Sequence, residues 1–222
     1  MPLLVRTWNL FHGNAAPPER HAFLREMIEV VTTDGPDVVC LQEVPVWAVT
    51  KLADWSGMQA TAAVARRPRL VSAALGRWVT ALHHGVLRSA LTGEADAILV
   101  KRGLELGDPR EAAVSAGGLR RIVHGVRIDD GLFVANFHIG ADEEQLRRVV
   151  AFVEGEERAV LAGDANLPSA AAPSFSPPLL GSIDQVLVRG LPSTAPVAWP
   201  EDRRRVGGRL LSDHAPVELL VG

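Results

Sequence analysis

The stretch "SDHAPVELLVG", residues 212–222, places a carboxylate and an imidazole directly before an apolar run. Residues 215–221 have the apolar, β-branched character of a buried strand. The pair of Asp213 and His214 is a weak signal when taken alone, because both residue types are common in loops. Its meaning depends on whether polar residues also stand at the tips of other strands.

Such tips recur on five further strand-like segments, in which every second side chain shares a face. We expect these inner faces: Leu3, Val5, Thr7 and Asn9; Val39, Leu41 and Glu43; Leu132, Val134, Asn136 and His138; Val160, Ala162 and Asp164; Asp184, Val186 and Val188. Buried carboxylates without partners are costly, so several of them are tolerable only if they meet at a cation or at basic groups. The sequence therefore predicts one shared site at the rim of the sheets.

The remaining pattern alternates strands with helices early in the chain and consists mostly of strands later. Helices are predicted over residues 17–33, 46–55, 67–91 and 142–155. Strands are predicted over residues 3–9, 38–43, 59–65, 95–101, 119–128, 132–139, 158–163, 182–188 and 215–221. This order indicates an α/β fold with mixed sheets, and we expect a single domain over residues 1–222.

Composition and charge narrow the classes of function. A formal net charge of −3 is not that of a protein held on nucleic acid by its overall field, although a nuclease needs only a local cationic patch. The one cysteine, Cys40, permits no disulfide within the chain, so a reducing compartment is allowed. The chain shows neither a signal-peptide pattern nor an apolar run of membrane-spanning length. We expect a monomer in a bacterial cytoplasm, without stable insertion into a membrane.

The carboxylates and amides among the strand tips favour a hard metal ion. Glu43, Asp164 and Asp213 offer oxygen ligands that suit Mg²⁺ or Mn²⁺ better than Zn²⁺. Asn9 and Asn166 can position a ligand carboxylate or a water molecule.

The histidines complete the chemistry. His138 and His214 can donate to a phosphate oxygen when protonated, and Asp184 can orient His214 and keep it protonated. A metal ion beside imidazoles and amides matches phosphoryl transfer, in which oxygen charge is neutralised and a water is aligned with the leaving oxygen.

Six motifs in order resemble those of the endonuclease/exonuclease/phosphatase superfamily. They are "TWN" (7–9), "LQEV" (41–44), "NFH" (136–138), "GDAN" (163–166), "SIDQVLV" (182–188) and "SDHAPV" (212–217). The resemblance implies a four-layer α/β sandwich of the DNase I-like kind, in which two mixed β-sheets pack face to face with helices outside. It also implies a site at one end of the sandwich.

The same resemblance implies a role for each metal-side residue. Glu43 is similar to the principal metal ligand, and Asn9 and Asp213 to residues that complete or buttress the metal site. Asp164 resembles the residue that orients or deprotonates the attacking water, and Asn166 one that helps to hold the phosphate.

The phosphate-side roles follow in the same way. His214 resembles the histidine that contacts the phosphate, paired with Asp184, and His138 resembles a second histidine near the leaving group. An arginine early in "GGLRRIVHGV" is expected to reach the phosphate, with Arg120 preferred over Arg121.

The resemblance is compatible with several activities. The tetrads "TWN", "LQEV", "GDAN" and "SDH" are similar to those of the tyrosyl-DNA phosphodiesterase-2-like branch. The leading hypothesis is a Mg²⁺-dependent phosphodiesterase that cleaves DNA by in-line attack of water. The alternatives are a phosphatase or phosphodiesterase acting on small phosphorylated metabolites or lipids, and a non-catalytic binding module of the same fold.

Several polar residues lie outside these motifs. His12, His21 and His124 are interpreted as structural or surface histidines. Asp96, in "GEADAILV", stands where the family often has asparagine. The basic segment 68–90 is interpreted as a layer packed on a sheet, or alternatively as a membrane-surface helix or substrate lid. The arginine run 203–205 is interpreted as a solvated loop, or alternatively as a phosphate clamp.

Overall fold

Two mixed β-sheets lie face to face in a computed structural model, which describes residues 2–69, 72–82, 91–129 and 131–222. The strands are β1 (Leu3–Asn9), β2 (Ala15–Ala16), β3 (Val38–Val44), β4 (Gln59–Arg66), β5 (Glu94–Val100), β6 (Arg110–Ala113), β7 (Ile122–Ile128), β8 (Leu132–His138), β9 (Ala159–Asp164), β10 (Asp184–Arg189), β11 (Val197–Ala198), β12 (Arg205–Val206), β13 (Arg209–Leu211) and β14 (Val217–Val221). The α-helices are α1 (Leu24–Val31), α2 (Leu52–Ser56), α3 (Ala73–Leu82) and α4 (Glu143–Phe152). Short 3₁₀ helices cover Phe11–Gly13, Val46–Lys51 and Glu201–Arg204.

The two large sheets each combine parallel and antiparallel pairs. One has the strand order β11-β14-β1-β3-β5-β4, with β1 parallel to β3 and its other pairs antiparallel. The other has the order β10-β9-β8-β7-β6, with β8 parallel to β9. A small third sheet joins β12, β13 and β2.

The inner faces of the two sheets form one apolar core. Buried Val5, Cys40 and Ile98 from the first sheet pack with Val134 and Val160 from the second. Helices α1 and α2 cover the outer face of the first sheet, and α4 covers that of the second. The prediction of a four-layer α/β sandwich with two mixed sheets is confirmed.

A polar bridge links the two sheets between this core and the rim. The amide of buried Asn136 on β8 donates to the carbonyls of Leu41 and Ala97, at 2.9 and 2.8 Å, on the opposite sheet. The Gln42 amide donates to Asn136 Oδ1 at 2.7 Å and to Thr7 Oγ1 at 3.0 Å. Because unpaired buried carbonyls are costly, this bridge fixes how the sheets are aligned.

Four of the five predicted inner faces are correct, and the face on β3 is wrong. Val39 and Leu41 pack against the helices with Trp8, whereas Val38 and Cys40 face the second sheet. The pairing of β3 with β5 is irregular between Leu41 and Val44, and Glu43 has a φ of 56°. This bulge breaks the alternation and turns Glu43 from the helix side to the end of the sandwich.

Several element boundaries also differ from the predictions. The first helix begins at Leu24 instead of Pro17, since the Phe23 amide bonds to the Gly13 carbonyl and the prolines supply no amide. The strand predicted from Leu119 begins at Ile122, because the Arg121 amide bonds to the Ser115 hydroxyl. Of the predicted basic helix, α3 covers Ala73–Leu82, and residues 70–71 and 83–90 lie outside the described residues.

Gly163, next to Asp164 on β9, allows a close approach of β8. A Cβ at this position would overlap the Phe137 carbonyl oxygen and lie 2.9 Å from the Phe137 nitrogen. We expect Gly163→Ala to lower the free energy of unfolding by about 3 kcal/mol, because backbone cannot move aside as a flexible side chain can. Urea denaturation measures this, with Gly117→Ala as the control, because a Cβ there meets nothing within 4 Å. Equal stability of the two variants would contradict the close approach.

Candidate active site

Strand ends from both large sheets meet at one end of the sandwich. The polar residues there are Asn9 (end of β1), Glu43 (bulge of β3), Glu94 and Asp96 (start of β5), His138 (end of β8), Asp164 (end of β9), Asp184 (start of β10), and Asp213 and His214 (loop before β14). The structure thus brings together the strand tips that the sequence singled out, together with further residues that it did not.

Asn9 joins the carboxylates at the centre of the site. Its Nδ2 donates to Asp164 Oδ2 at 2.9 Å and lies 3.3 Å from Glu43 Oε1. Its Oδ1 accepts the Phe11 amide at 2.9 Å, which fixes the orientation of the side chain. In this arrangement Asn9 buttresses the carboxylates by donating to them.

Asp164 is buried, and both of its oxygens have partners. Oδ1 accepts the Asn166 backbone amide at 2.8 Å, and Oδ2 accepts from Asn9. Asn166 has a φ of 50° and donates its side-chain amide to the Ile139 carbonyl at 2.9 Å. The "GDAN" segment therefore forms a tight turn that fixes Asp164, and Asn166 closes that turn.

Partly buried His214 and buried Asp184 form a pair on one flank of Asp164. His214 Nδ1 lies 2.9 Å from Asp184 Oδ2, while Nε2 lies 3.9 Å from Asp164 Oδ2. Burial opposes protonation of His214, but the hydrogen bond with Asp184 and the charges of Asp184, Asp164 and Asp213 raise its pKa to about 9. Asp213 is half exposed, with Oδ1 3.9 Å from His214 Nε2.

Hydrogen bonds hold the loop that carries Asp213 and His214 in place. The Ser212 hydroxyl donates to the Asn9 carbonyl at 2.7 Å, and Trp8 Nε1 donates to the His214 carbonyl at 2.9 Å. Buried Arg204 donates to the Leu211 and Ser212 carbonyls at 3.0 and 2.7 Å. The arginine run was expected to be solvated, but Arg204 is instead a structural support of this loop.

A second histidine–carboxylate pair lies on the other flank of Asp164. His138 Nε2 lies 3.6 Å from Asp164 Oδ2, and its Nδ1 lies 3.1 Å from Glu94 Oε1. Burial would raise the pKa of Glu94, but the hydrogen bond with His138 and the charges of His138, His12 and Arg121 lower it to about 2. Sequence reasoning missed Glu94 because the strand was predicted to start at Ala95, one residue too late.

The arginine beside this pair is Arg121 and not Arg120. Arg121 Nη1 lies 2.8 Å from His138 Nε2 and 3.2 Å from Glu94 Oε1. Arg120 points to the edge of β4, where Nη1 donates to the Val64 carbonyl at 2.5 Å. The preference for Arg120 is therefore not what the geometry supports, because the β4 carbonyls draw its guanidinium away from His138.

Asp96 approaches the same flank from β5. It is fully buried, and neither carboxylate oxygen has a hydrogen-bond partner among the residues that the structure describes. Burial raises the pKa of Asp96 well above its ordinary value, although the charges of His138 and Arg121 oppose the rise. The surroundings thus favour a neutral carboxylic acid at the position where the family often has an asparagine.

Of the histidines without motif support, His12 belongs to the site. It is buried, and its Nε2 lies 3.1 Å from Glu43 Oε2. No periodicity could have revealed this, since Phe11, His12 and Gly13 all have positive φ. His21 is exposed, and His124 is buried beside Thr61, as expected for surface and structural residues.

The donor chemistry fits a divalent cation. Glu43, Asp164 and Asp213 supply carboxylate oxygens, and the buried oxygens of Asp96 lack hydrogen-bond donors. Two groups have ligand atoms within 4.8 Å of one another, namely Asp164, Asp184 and His214, and Glu94, Asp96 and His138. The end of the sandwich could therefore hold a metal ion.

A four-layer sandwich with this acidic and histidine-rich end defines the DNase I-like class of proteins. The chain matches the model of the Endonuclease/Exonuclease/phosphatase family over residues 7–214, and it belongs to that family. No curated protein matches it.

Solved structures resemble the chain in fold. An endonuclease/exonuclease/phosphatase from Beutenbergia cavernae DSM 12333 has a TM-score of 0.71 and 19% identity, over 99% of this chain and 71% of that one. Truncated Caenorhabditis elegans TDP2 has a TM-score of 0.65 and 15% identity, over 100% and 97%. The mannosyl-6-phosphatase Bt3783 of Bacteroides thetaiotaomicron VPI-5482 has a TM-score of 0.64 and 16% identity, over 99% and 100%. Within the described ranges, no helix is long and apolar enough to cross a membrane.

The His214–Asp184 pair can be tested directly by an NMR titration of the imidazole. We expect a His214 pKa of about 9 in the wild type and a fall towards 6.5 in Asp184→Asn, because the amide keeps the shape but removes the charge. Since the folded-state pKa lies above the unfolded value, the pair stabilises the fold below pH 6.5, and this contribution is lost as the pH rises through 9. Asp202→Asn is the control, and an unchanged His214 pKa in Asp184→Asn would contradict the pairing.

Proposed function

We propose that the protein is a Mg²⁺-dependent phosphodiesterase that hydrolyses DNA by in-line attack of water. The observation that carries the proposal is the position of buried Asp164 between two histidine–carboxylate pairs, with Glu43 joined to it through Asn9. Family membership supports phosphoester hydrolysis in general.

The metal is assigned to the Glu43 side of the site. Glu43 would hold Mg²⁺ or Mn²⁺, with Asp213 completing the site and Asn9 buttressing it, and the bound ion would neutralise charge on a phosphate oxygen. His12 restrains Glu43 from the opposite side, at 3.1 Å.

Proton handling is assigned to the residues around Asp164. Asp164 accepts a hydrogen bond from the attacking water and orients it, since Asn9 and the Asn166 amide hold the carboxylate in place. His214, kept protonated by Asp184, donates to the phosphate. His138, paired with Glu94 and flanked by Arg121, stabilises or protonates the leaving oxygen.

The main alternative is hydrolysis of small phosphorylated metabolites or lipids. It is favoured by the likeness to a structure described as a mannosyl-6-phosphatase. A non-catalytic module is disfavoured by the complete set of acids and histidines. We further propose that the protein acts in the cytoplasm, where its lone buried cysteine would stay reduced, and that it acts as a monomer.

The first experiment is nicking of supercoiled plasmid DNA in Mg²⁺. We expect the wild type to nick the plasmid, and both EDTA and His214→Ala to abolish nicking, because they remove the metal and the phosphate donor. His21→Ala, a change at an exposed histidine, should leave the rate unchanged. Absence of nicking by the wild type would overturn the DNA endonuclease proposal and direct the search to 5′-blocked ends, nucleotides and lipid phosphates.

The assigned metal ligand can be tested without turnover. We expect Glu43→Gln to weaken Mn²⁺ binding by at least about tenfold in isothermal titration calorimetry, because the amide removes the charge of the principal ligand. Glu111→Gln is the control, since Glu111 is exposed on β6. Unchanged Mn²⁺ affinity in Glu43→Gln would contradict this assignment and indicate that another carboxylate of the site binds the metal.

A further inference from the structure

An open cleft rich in arginine adjoins the site. It has a volume of about 430 Å³ and is lined by four arginines with Gly118 and Leu119: Arg66, Arg67, Arg69 and Arg120. We call this feature the arginine cleft. None of its residues has a role in the chemistry assigned above.

Strand register and chain adjacency link the arginine cleft to the His138 flank of the site. Arg66 is the register partner of Glu94 where β4 pairs with β5. A Cβ on Gly93 would lie 2.6 Å from the Arg66 carbonyl oxygen, so only glycine lets this loop pack against the start of β5. On the opposite wall, Arg120 immediately precedes Arg121, whose guanidinium contacts His138. The cleft is therefore a neighbour of the site, linked to it through Glu94 and Arg121.

The charges of Arg67, Arg69 and Arg120 in the arginine cleft are poorly compensated. Within the described ranges, Arg67 and Arg69 form no ion pair. The one ion pair of Arg120 there is with exposed Glu111, at 3.7 Å. Four guanidinium groups lining one cleft repel one another, and an anion between them would relieve that repulsion. The net charge of −3 makes this concentration a local feature of the surface.

The lining indicates which anion would be bound. Guanidinium groups recognise phosphate oxygens, and the described lining contains no side-chain carboxylate, amide or hydroxyl to read the hydroxyl pattern of a sugar. Half-exposed Leu119 adds an apolar contact of the kind that a nucleotide sugar or base can use. A polynucleotide carries a phosphate at every nucleotide. A polynucleotide bound at the catalytic centre would therefore present a further phosphate nearby.

We propose that the arginine cleft binds a backbone phosphate of a polynucleotide, next to the phosphoester held at Asp164 and His138. This inference rests on the proposed nuclease function and adds to it the means by which substrate is recognised. Binding is independent of base sequence, because the arginines contact the backbone and Leu119 has no hydrogen-bonding group that could distinguish one base from another.

The test compares binding by wild type and by Arg67→Ala/Arg69→Ala. Fluorescence anisotropy with a labelled DNA oligonucleotide is measured in EDTA, so that no turnover occurs. We expect about tenfold weaker binding by the variant and a salt-dependence slope that is smaller by about one to two, because two phosphate contacts are lost. Arg67→Lys/Arg69→Lys should retain most of the affinity, since charge supplies most of the interaction.

Two controls distinguish the loss of a phosphate contact in the arginine cleft from a general loss of positive charge or of catalytic activity. Arg25→Ala/Arg102→Ala removes the same charge from α1 and from the segment that follows β5, and it should bind the oligonucleotide as the wild type does. Hydrolysis of bis(4-nitrophenyl) phosphate in Mg²⁺ should be equal in wild type and Arg67→Ala/Arg69→Ala, because this diester has no neighbouring phosphate.

Either of two results would overturn the proposal. One is equal oligonucleotide affinity and salt slope in wild type and Arg67→Ala/Arg69→Ala. The other is that Arg67→Ala/Arg69→Ala loses binding to phosphatidylserine vesicles but keeps its binding to the oligonucleotide, which would assign the cleft to a membrane surface. Because binding in EDTA needs no turnover, failure of the wild type to hydrolyse DNA would count against the proposed function alone.

Discussion

The amide of Asn136 links the two sheets just behind the site, and the positions of the other functional groups depend on it. It donates to Leu41 and Ala97, register partners on β3 and β5 next to the point where that pairing becomes irregular. Any sliding of one sheet over the other would leave these buried carbonyls unpaired, at a cost of about 1–3 kcal/mol for each group. The strand tips on opposite sheets therefore meet in one arrangement, with Asn9 of one sheet bonded to Asp164 of the other.

The buried acids of the site are tolerated because cations are interleaved among them. His214 lies between Asp184 and Asp164, and His138 lies between Glu94 and Asp164. Each histidine gains a raised pKa from its carboxylate partners, so the same contacts that reduce the cost of burial also keep a proton available. Fold stability and proton supply are in this sense properties of the same pairs.

The sequence was most informative where strands are regular. The two-residue repeat of strands was enough to predict that Asn9, His138, Asp164 and Asp184 lie at one rim, because the side chains of their strands alternate regularly. It failed where the backbone leaves that regularity, as in the left-handed residues around His12 and in the bulge at Glu43. It also favoured Arg120 over Arg121, whereas Arg121 is the arginine beside His138. That choice depends on which carbonyls of β4 are available to the Arg120 guanidinium.

The bulge in β3 also has a consequence for how this chain tolerates changes in length. Deleting Glu43 would restore uninterrupted pairing with β5 and remove a residue held at a φ of 56°. The shortened strand would have a more regular ladder, but the site would lose the Glu43 carboxylate. The chain should therefore tolerate substitutions within β3 more readily than deletions. Whether β3 has an odd or an even number of residues before the acid determines whether that acid faces the site or the helices.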